Sequence, residues 1–339
     1  MAGSPIRVLV IGAGRMGRIR VEDLAADPRV DEVLVTNRNH AAAESVASEY
    51  GARAINWSQI LSAPANAYVL ATASSVHAEL LRQLIPLRRP ILCEKPLALT
   101  LPDTDELIRL IEEHRTVVQV GFQRRFDPEV AEAKRRITAG EVGTLYAIHA
   151  FSHDHQPSSP EFMSQAGDIF ADLLVHDFDL IAWLTGARFA RVYSSLAVRE
   201  HEQYRHRADA VPDGDVALVH AQLADGVQVA ITGTRHDPLG HDVHLEIFGS
   251  RDSIAVGFTP RTPLHPIAEG LTMAADPYRG FIDRFREAFA AETAAFVDTV
   301  ASGGESLCSA QDARAAFQVA LCCSESAAAA APITVPARP

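Results

Sequence analysis

Asp172 and His176 lie four residues apart in a run that is otherwise apolar: Ile169, Phe170, Leu173, Leu174, Val175, Phe178, Ile181 and Leu184. Residues at that spacing share one face of a helix, and a helix apolar on most sides is buried. The pattern predicts a buried helix over 168–185 with a carboxylate beside an imidazole and Asp179 continuing the stripe. Buried polar groups are costly without partners. Two readings meet that cost. One is a structural Asp–His hydrogen bond. The other is a site where His176 exchanges a proton, as an imidazole does near neutrality. A third group, Lys95, stands in Glu94-Lys95-Pro96 directly after the apolar run Pro90-Ile91-Leu92-Cys93. That run reads as a buried strand, so Lys95 is expected at the mouth of a sheet.

The same sheet carries a nucleotide signature. Gly12-Ala13-Gly14-Arg15-Met16-Gly17 follows a strand and precedes a helix, the context that the dinucleotide fingerprint needs. Gly12 allows the tight turn, Gly14 the approach of a pyrophosphate and Gly17 close helix–strand packing. The helix N-terminus offers N–H groups to the anion, and Arg15 can reach the phosphates or stay on the surface. A free ribose 2′-hydroxyl calls for an acidic residue at the end of the second strand. Here that end reads Thr36-Asn37-Arg38-Asn39. Asn37 can donate to a 2′-phosphate, and Arg38 can pair with it. NADP is the preferred cofactor on this reading; with Arg38 solvated and Asn37 on the ribose, NAD serves. Thr72 and His77 bracket a polar loop after the third strand, on the edge where the ligand of such a sheet lies. His77 either approaches the cofactor or starts a helix.

Positioning these groups takes two domains. Over residues 1–122, short β-branched runs alternate with amphipathic helical stretches, which implies a parallel sheet covered on both faces, a Rossmann domain. Over residues 123–339, runs of neighbouring strands follow one another with Asp225-Gly226 as a hairpin turn between two of them. That half is expected to be an α+β domain with a mostly antiparallel open sheet, used for substrate binding and oligomerisation. The fold class is α/β.

Composition narrows the partners. A chain of 339 residues with net charge -12 has no positive field to attract nucleic acid. The cysteines Cys93, Cys308, Cys322 and Cys323 include no Cys-x-x-Cys pair, so reduced thiols in the cytoplasm are expected. The apolar run at Val8 to Ile11 is too short to span a membrane. His153, Asp154 and His155 raise a metal site, but successive strand residues point to opposite faces, so no metal is expected.

Three blocks occur in order: the Gly12–Gly17 motif, Cys93-Glu94-Lys95-Pro96, and Asp172-x-x-x-His176-Asp177. Together they resemble the Gfo/Idh/MocA oxidoreductases, and the likeness spans nearly the whole chain. Gly121-Phe122-Gln123-Arg124-Arg125-Phe126-Asp127-Pro128 resembles the inositol dehydrogenase branch, as does Ile169-Phe170-Ala171-Asp172 running into His176-Asp177-Phe178-Asp179. The resemblance implies that Lys95, Asp172 and His176 form a catalytic triad, and that the Lys95–Pro96 bond is commonly cis. It implies an NAD(P)-dependent oxidoreductase acting on a secondary alcohol or ketone of a cyclic polyol, sugar or modified sugar. Residue types fit: His176 as base, Lys95 stabilising the alkoxide, Asp172 orienting both.

Three positions depart from the inositol branch. His153 replaces the arginine of a Ser-Arg-Asp block, Asp168 replaces the second glycine of a Gly-Gly pair, and His241 stands where a tyrosine is usual. Arg125, Asp154, Asp168, His176 and His241 remain a hydroxyl-binding set. The resemblance also implies a homo-dimer or homo-tetramer. Two alternatives stay open: a glycosidase that uses NAD in a transient oxidation, and a non-catalytic dinucleotide sensor.

Overall fold

The computed structural model describes residues 5–157, 159, 167–204, 213–238, 240–257 and 278–337. It divides into two compact units, residues 1–126 with 287–315, and residues 127–286 with 316–339.

The first unit is built on a six-stranded sheet. Its strands are β1 (Ile6–Ile11), β2 (Val30–Thr36), β3 (Arg53–Ala54), β4 (Ala67–Leu70), β5 (Ile91–Glu94) and β6 (Val118–Gly121). They lie in the order β3-β2-β1-β4-β5-β6, and every pair is parallel. Sheets of this order bind ligands beyond the carboxyl ends of the strands, where the order reverses beside β1. Helices α1 (Arg15–Ala26), α2 (His40–Tyr50), α3 (His77–Leu84) and α4 (Leu101–His114) link the strands. Thr100 caps α4, its side chain accepting from Asp103 N–H.

A distant segment completes this unit. Phe296 and Val297 are fully buried in one apolar cluster with Val8, Val10, Val21, Leu24 and Val35. The backbone N–H of Val120, on edge strand β6, donates to Cys308 O at 2.9 Å.

The second unit holds a seven-stranded sheet in the order β12-β11-β7-β10-β9-β8-β13. The strands are β7 (Leu145–His153), β8 (Phe189–Ala197), β9 (Val216–Leu223), β10 (Gln228–Thr234), β11 (Asp242–Gly249), β12 (Ser253–Val256) and β13 (Ile333–Thr334). One pair, β7 with β10, is parallel and the rest are antiparallel. The Asp225-Gly226 turn joins β9 to β10, with Gly226 at φ 98°. Alternate residues Ile148, Ala150, Val229, Ile231, Val219 and Ala221 are buried, while Tyr193 and Leu218 on the opposite face stay exposed.

The helix expected over 168–185 is not uniform. It opens with a π-helical turn, Phe170–Leu174, and becomes α-helical at Val175–Thr185. Two carboxylates grip its start: Asp168 Oδ1 accepts from Ala171 N–H and Asp213 Oδ1 from Ile169 N–H, both at 2.9 Å. Leu174 packs so closely on β10 that a Cβ at Gly233 would stand 2.8 Å from its Cδ2. Gly186, at φ 73°, ends the helix.

Candidate active site

In the first unit the glycines form a cradle. A Cβ at Gly17 would stand 1.9 Å from Gly12 O, and one at Gly12 would stand 2.3 Å from Ala71 O. Both positions therefore need glycine for packing. At Gly14 no atom lies within 4 Å, and no side chain caps α1. Its first N–H groups lie at the positive end of the helix dipole and have no side-chain cap. A pyrophosphate fits that donor set. Arg15 is exposed and Met16 half-buried at the rim.

At the end of β2, Thr36 is buried and its carbonyl accepts from Gly12 N–H at 2.8 Å. Asn37 Oδ1 accepts from Ala13 N–H at 3.3 Å, and its amide donates to Asn39 O at 3.2 Å. Arg38 is exposed and lies over the Trp57 ring, 5.5 Å from its centroid.

Lys95 follows β5 on a cis Lys95–Pro96 bond and is half-buried. Its neighbours tie it down on both sides. Pro96 O lies 2.8 Å from His77 Nδ1, and His77 Nε2 lies 3.2 Å from Thr72 O. The fully buried His77 thus links the loop after β4 to the loop after β5. Burial pushes its pKa down, against the opposing pull of the two carbonyls. On the other side, Glu94 accepts from Arg20 Nε at 2.8 Å. Arg20, fully buried, also pairs with Glu292 and donates to Thr293 Oγ1 at 2.9 Å. Burial opposes its charge, but Glu94 and Glu292 outweigh that and hold it protonated. The Glu94 carboxylate is thereby engaged within the fold. Arg125 is also engaged, through Leu307 O at 3.2 Å and Asp312 at 3.3 Å.

In the second unit, Asp172 lies on the π-helical turn and His176 one turn on, the latter only 8% exposed. Asp172 Oδ2 pairs with Arg235 Nη1 at 3.2 Å. Asp177 is buried, and the Ser152 hydroxyl donates to its carboxylate, lying 2.7 and 2.9 Å from the two oxygens. Asp168 takes Ala171 N–H and the Ser324 hydroxyl, and burial pushes its carboxyl above the usual range. His241 Nδ1 faces Asp154 Oδ1 at 3.3 Å, while its buried Nε2 has no hydrogen-bond partner among the described residues. His153 and His155 turn to Asp237, at 3.4 Å and 3.2 Å, and Asp154 to His241. Another group, Glu200, His201 and His236, brings three possible metal ligands together, with His236 Nδ1 3.3 Å from Glu200 Oε2.

Asp172, His176, Asp168, Asp154 and His241 thus lie in the second unit, and the glycines, Asn37, Arg38, Thr72, His77, Glu94, Lys95 and Arg125 in the first. Sequence reasoning passed over Arg235 and Asp213. A half-buried Asp172 favours a counter-charge, but nothing in the local sequence marks Arg235 as the residue that supplies it.

Comparison with known proteins bears on both units. Residues 6–122 match the model of an oxidoreductase family with an NAD-binding Rossmann fold, and residues 130–255 match a GFO/IDH/MocA C-terminal domain. A myo-inositol dehydrogenase of Streptomyces leeuwenhoekii is 33% identical over 300 residues, 88% of this chain and 89% of its own. The scyllo-inositol 2-dehydrogenase (NAD(+)) of Bacillus subtilis is 32% identical over 307 residues, covering 88% of this chain and 87% of its own. The crystal structure of a myo-inositol dehydrogenase from Corynebacterium glutamicum superposes with a TM-score of 0.89 at 26% identity, covering 99% of this chain and 100% of its own.

Proposed function

From the premise that this chain belongs to the GFO/IDH/MocA oxidoreductase family, we propose that it oxidises a secondary alcohol of an inositol-like cyclic polyol, with Lys95, Asp172 and His176 handling the proton. The chain is a dehydrogenase acting on CH–OH groups. The observation that carries the polyol reading is the second unit's cluster of hydroxyl-binding groups on short tethers. Asp168 and Asp172 share the gripped turn, and His241 Nε2 is buried without a hydrogen-bond partner among the described residues. A ring hydroxyl would satisfy that nitrogen at little cost, whereas an apolar substrate would leave it stranded.

In this reading His176 accepts the hydroxyl proton and Lys95 hydrogen-bonds the same oxygen as its negative charge develops. Asp172 orients His176 and balances its charge once protonated. The nicotinamide, when bound, supplies the hydride acceptor. The backbone N–H groups at the start of α1 would hold its phosphates, with Thr72 beside them, since those of Gly12 and Ala13 are already taken by Thr36 O and Asn37 Oδ1. We assign the 2′-phosphate of NADP to Arg38 and Asn37, since no carboxylate ends β2 and the Trp57 ring holds the guanidinium at 5.5 Å. The open face of the second sheet, with exposed Tyr193 and Leu218, supports a homo-dimer or homo-tetramer. Four buried cysteines, none of them in a disulfide, support a cytoplasmic setting. Among the described residues, no helix is long and apolar enough to cross a membrane.

Titration with NADPH and NADH, followed by turnover on myo-inositol, scyllo-inositol and simple sugars, tests this. Tighter NADPH binding and turnover of an inositol are expected. Lys95→Ala should keep cofactor affinity while losing roughly 100-fold or more in kcat. Undiminished turnover in that variant would overturn the mechanism, and tighter NADH binding would overturn the role of Arg38.

A further inference from the structure

Arg235 follows β10 and is 1% exposed. Its guanidinium forks between two carboxylates, Asp172 Oδ2 at 3.2 Å and Asp213 Oδ2 at 3.3 Å. It lies over the ring of buried Tyr204, 5.2 Å from the centroid. Its own N–H donates to Asp215 O at 2.9 Å, so the backbone there is fixed too. Asp213 does a second job. Its other oxygen accepts from Ile169 N–H, at the start of the turn that carries Asp172. One buried arginine is thus connected to Asp172 by two routes, directly and through the backbone of the turn.

We infer that Arg235 is a positioning residue for Asp172, holding the carboxylate ionised and fixing the π-helical turn on which it stands. This rests on the reading of Asp172 as part of the reaction. The physical reason is the cost of a buried charge. An aspartate shielded from water takes up a proton unless a cation lies beside it. A protonated Asp172 could neither orient His176 through a charged contact nor balance an imidazolium. Arginine suits the task better than lysine, because its planar fork reaches two carboxylates at once and its charge is permanent. Asp213 and Asp172 favour that charge against burial. Charged and titratable groups around the pair include Asp213 before β9, Tyr204 with His201 against its ring, Asp154 after β7, and Asp168 and His176 on Asp172's own segment.

The test compares Arg235→Lys, the double variant Asp213→Asn with Arg235→Met, and Asp172→Asn. The double variant removes a cation and an anion together, so it keeps the buried charge balanced if Arg235→Met alone fails to fold. Dinucleotide affinity, circular dichroism, and kcat across pH 5 to 9 are measured on folded protein. Loss of Arg235 raises the pH at which Asp172 takes its proton. The acid limb of the kcat profile should then move to higher pH, with kcat down about 10- to 100-fold and cofactor affinity within about twofold. Folded variants with an unmoved acid limb and unchanged kcat would overturn the inference. Asp172→Asn separates the two levels. If it retains full turnover, the reading of the reaction itself fails. If it is inactive while the Arg235 variants match the wild type, only the role of Arg235 fails.

Discussion

At the scale of single residues, the site is held by side chains that never need to touch substrate. His77 is the clearest case. A neutral imidazole has one N–H, and the 2.8 Å contact fits Nδ1–H donating to Pro96 O, next to Lys95. Burial lowers the pKa of His77 below the usual 6.5. The sign follows from linkage: a depressed folded-state pKa gives stability that is complete above about 6.5 and drains away as pH falls through the lowered value. Denaturant unfolding at pH 8 and pH 5 should show a loss of stability on acidification that His77→Gln reduces. An equal loss in both proteins would remove His77 from that account. Arg235 and His77 share a lesson about legibility. Lys95, Asp172 and His176 stood out because their residue types carry chemistry at helix and strand spacing. Their holders are distant in sequence, and nothing local marks which arginine reaches Asp172.

At the scale of elements, the β1–α1 junction and the turn at 168–174 read differently. The junction was legible nearly atom by atom, because glycine is demanded by backbone contact and leaves no substitute. Gly17→Ala puts a methyl 1.9 Å from Gly12 O, and should cost about 1–3 kcal/mol or prevent folding altogether. Gly14→Ala meets nothing within 4 Å and should leave thermal stability nearly unchanged while weakening dinucleotide binding. Melting curves with fluorescence titration distinguish the two variants; equal melting temperatures would contradict the packing argument. The π-helical turn was not legible. Apolar spacing announces a buried helix, but the start of the wider turn is held by hydrogen bonds to Asp168 and Asp213, and the Asp213 partner lies 44 positions away from Ile169. The parallel β7–β10 pair was hidden for a similar reason: alternation shows that a segment is a strand, not which neighbour it meets.

At the scale of the whole molecule, the exposed face of the second sheet carries the expectation of self-association. Leu218 and Tyr193 are 52% and 44% exposed on neighbouring strands β9 and β8. An apolar sheet face is normally covered. Sedimentation should show a dimer or tetramer, and the pair Leu218→Glu with Tyr193→Glu should shift it toward monomer. A wild-type protein that sediments only as monomer would exclude this surface as an interface.

The Arg20 network has a consequence for how the chain comes to be folded. Arg20 and Glu94 are synthesised early, yet Arg20's other partners, Glu292 and Thr293, arrive only after residues 127–286 have been made. Until then Arg20 lacks Glu292 and Thr293, and the apolar cluster lacks Phe296 and Val297. Vectorial synthesis therefore leaves the dinucleotide domain unfinished while the intervening unit emerges. The chain closes its first-made domain near the end, and with it fixes the residue next to Lys95.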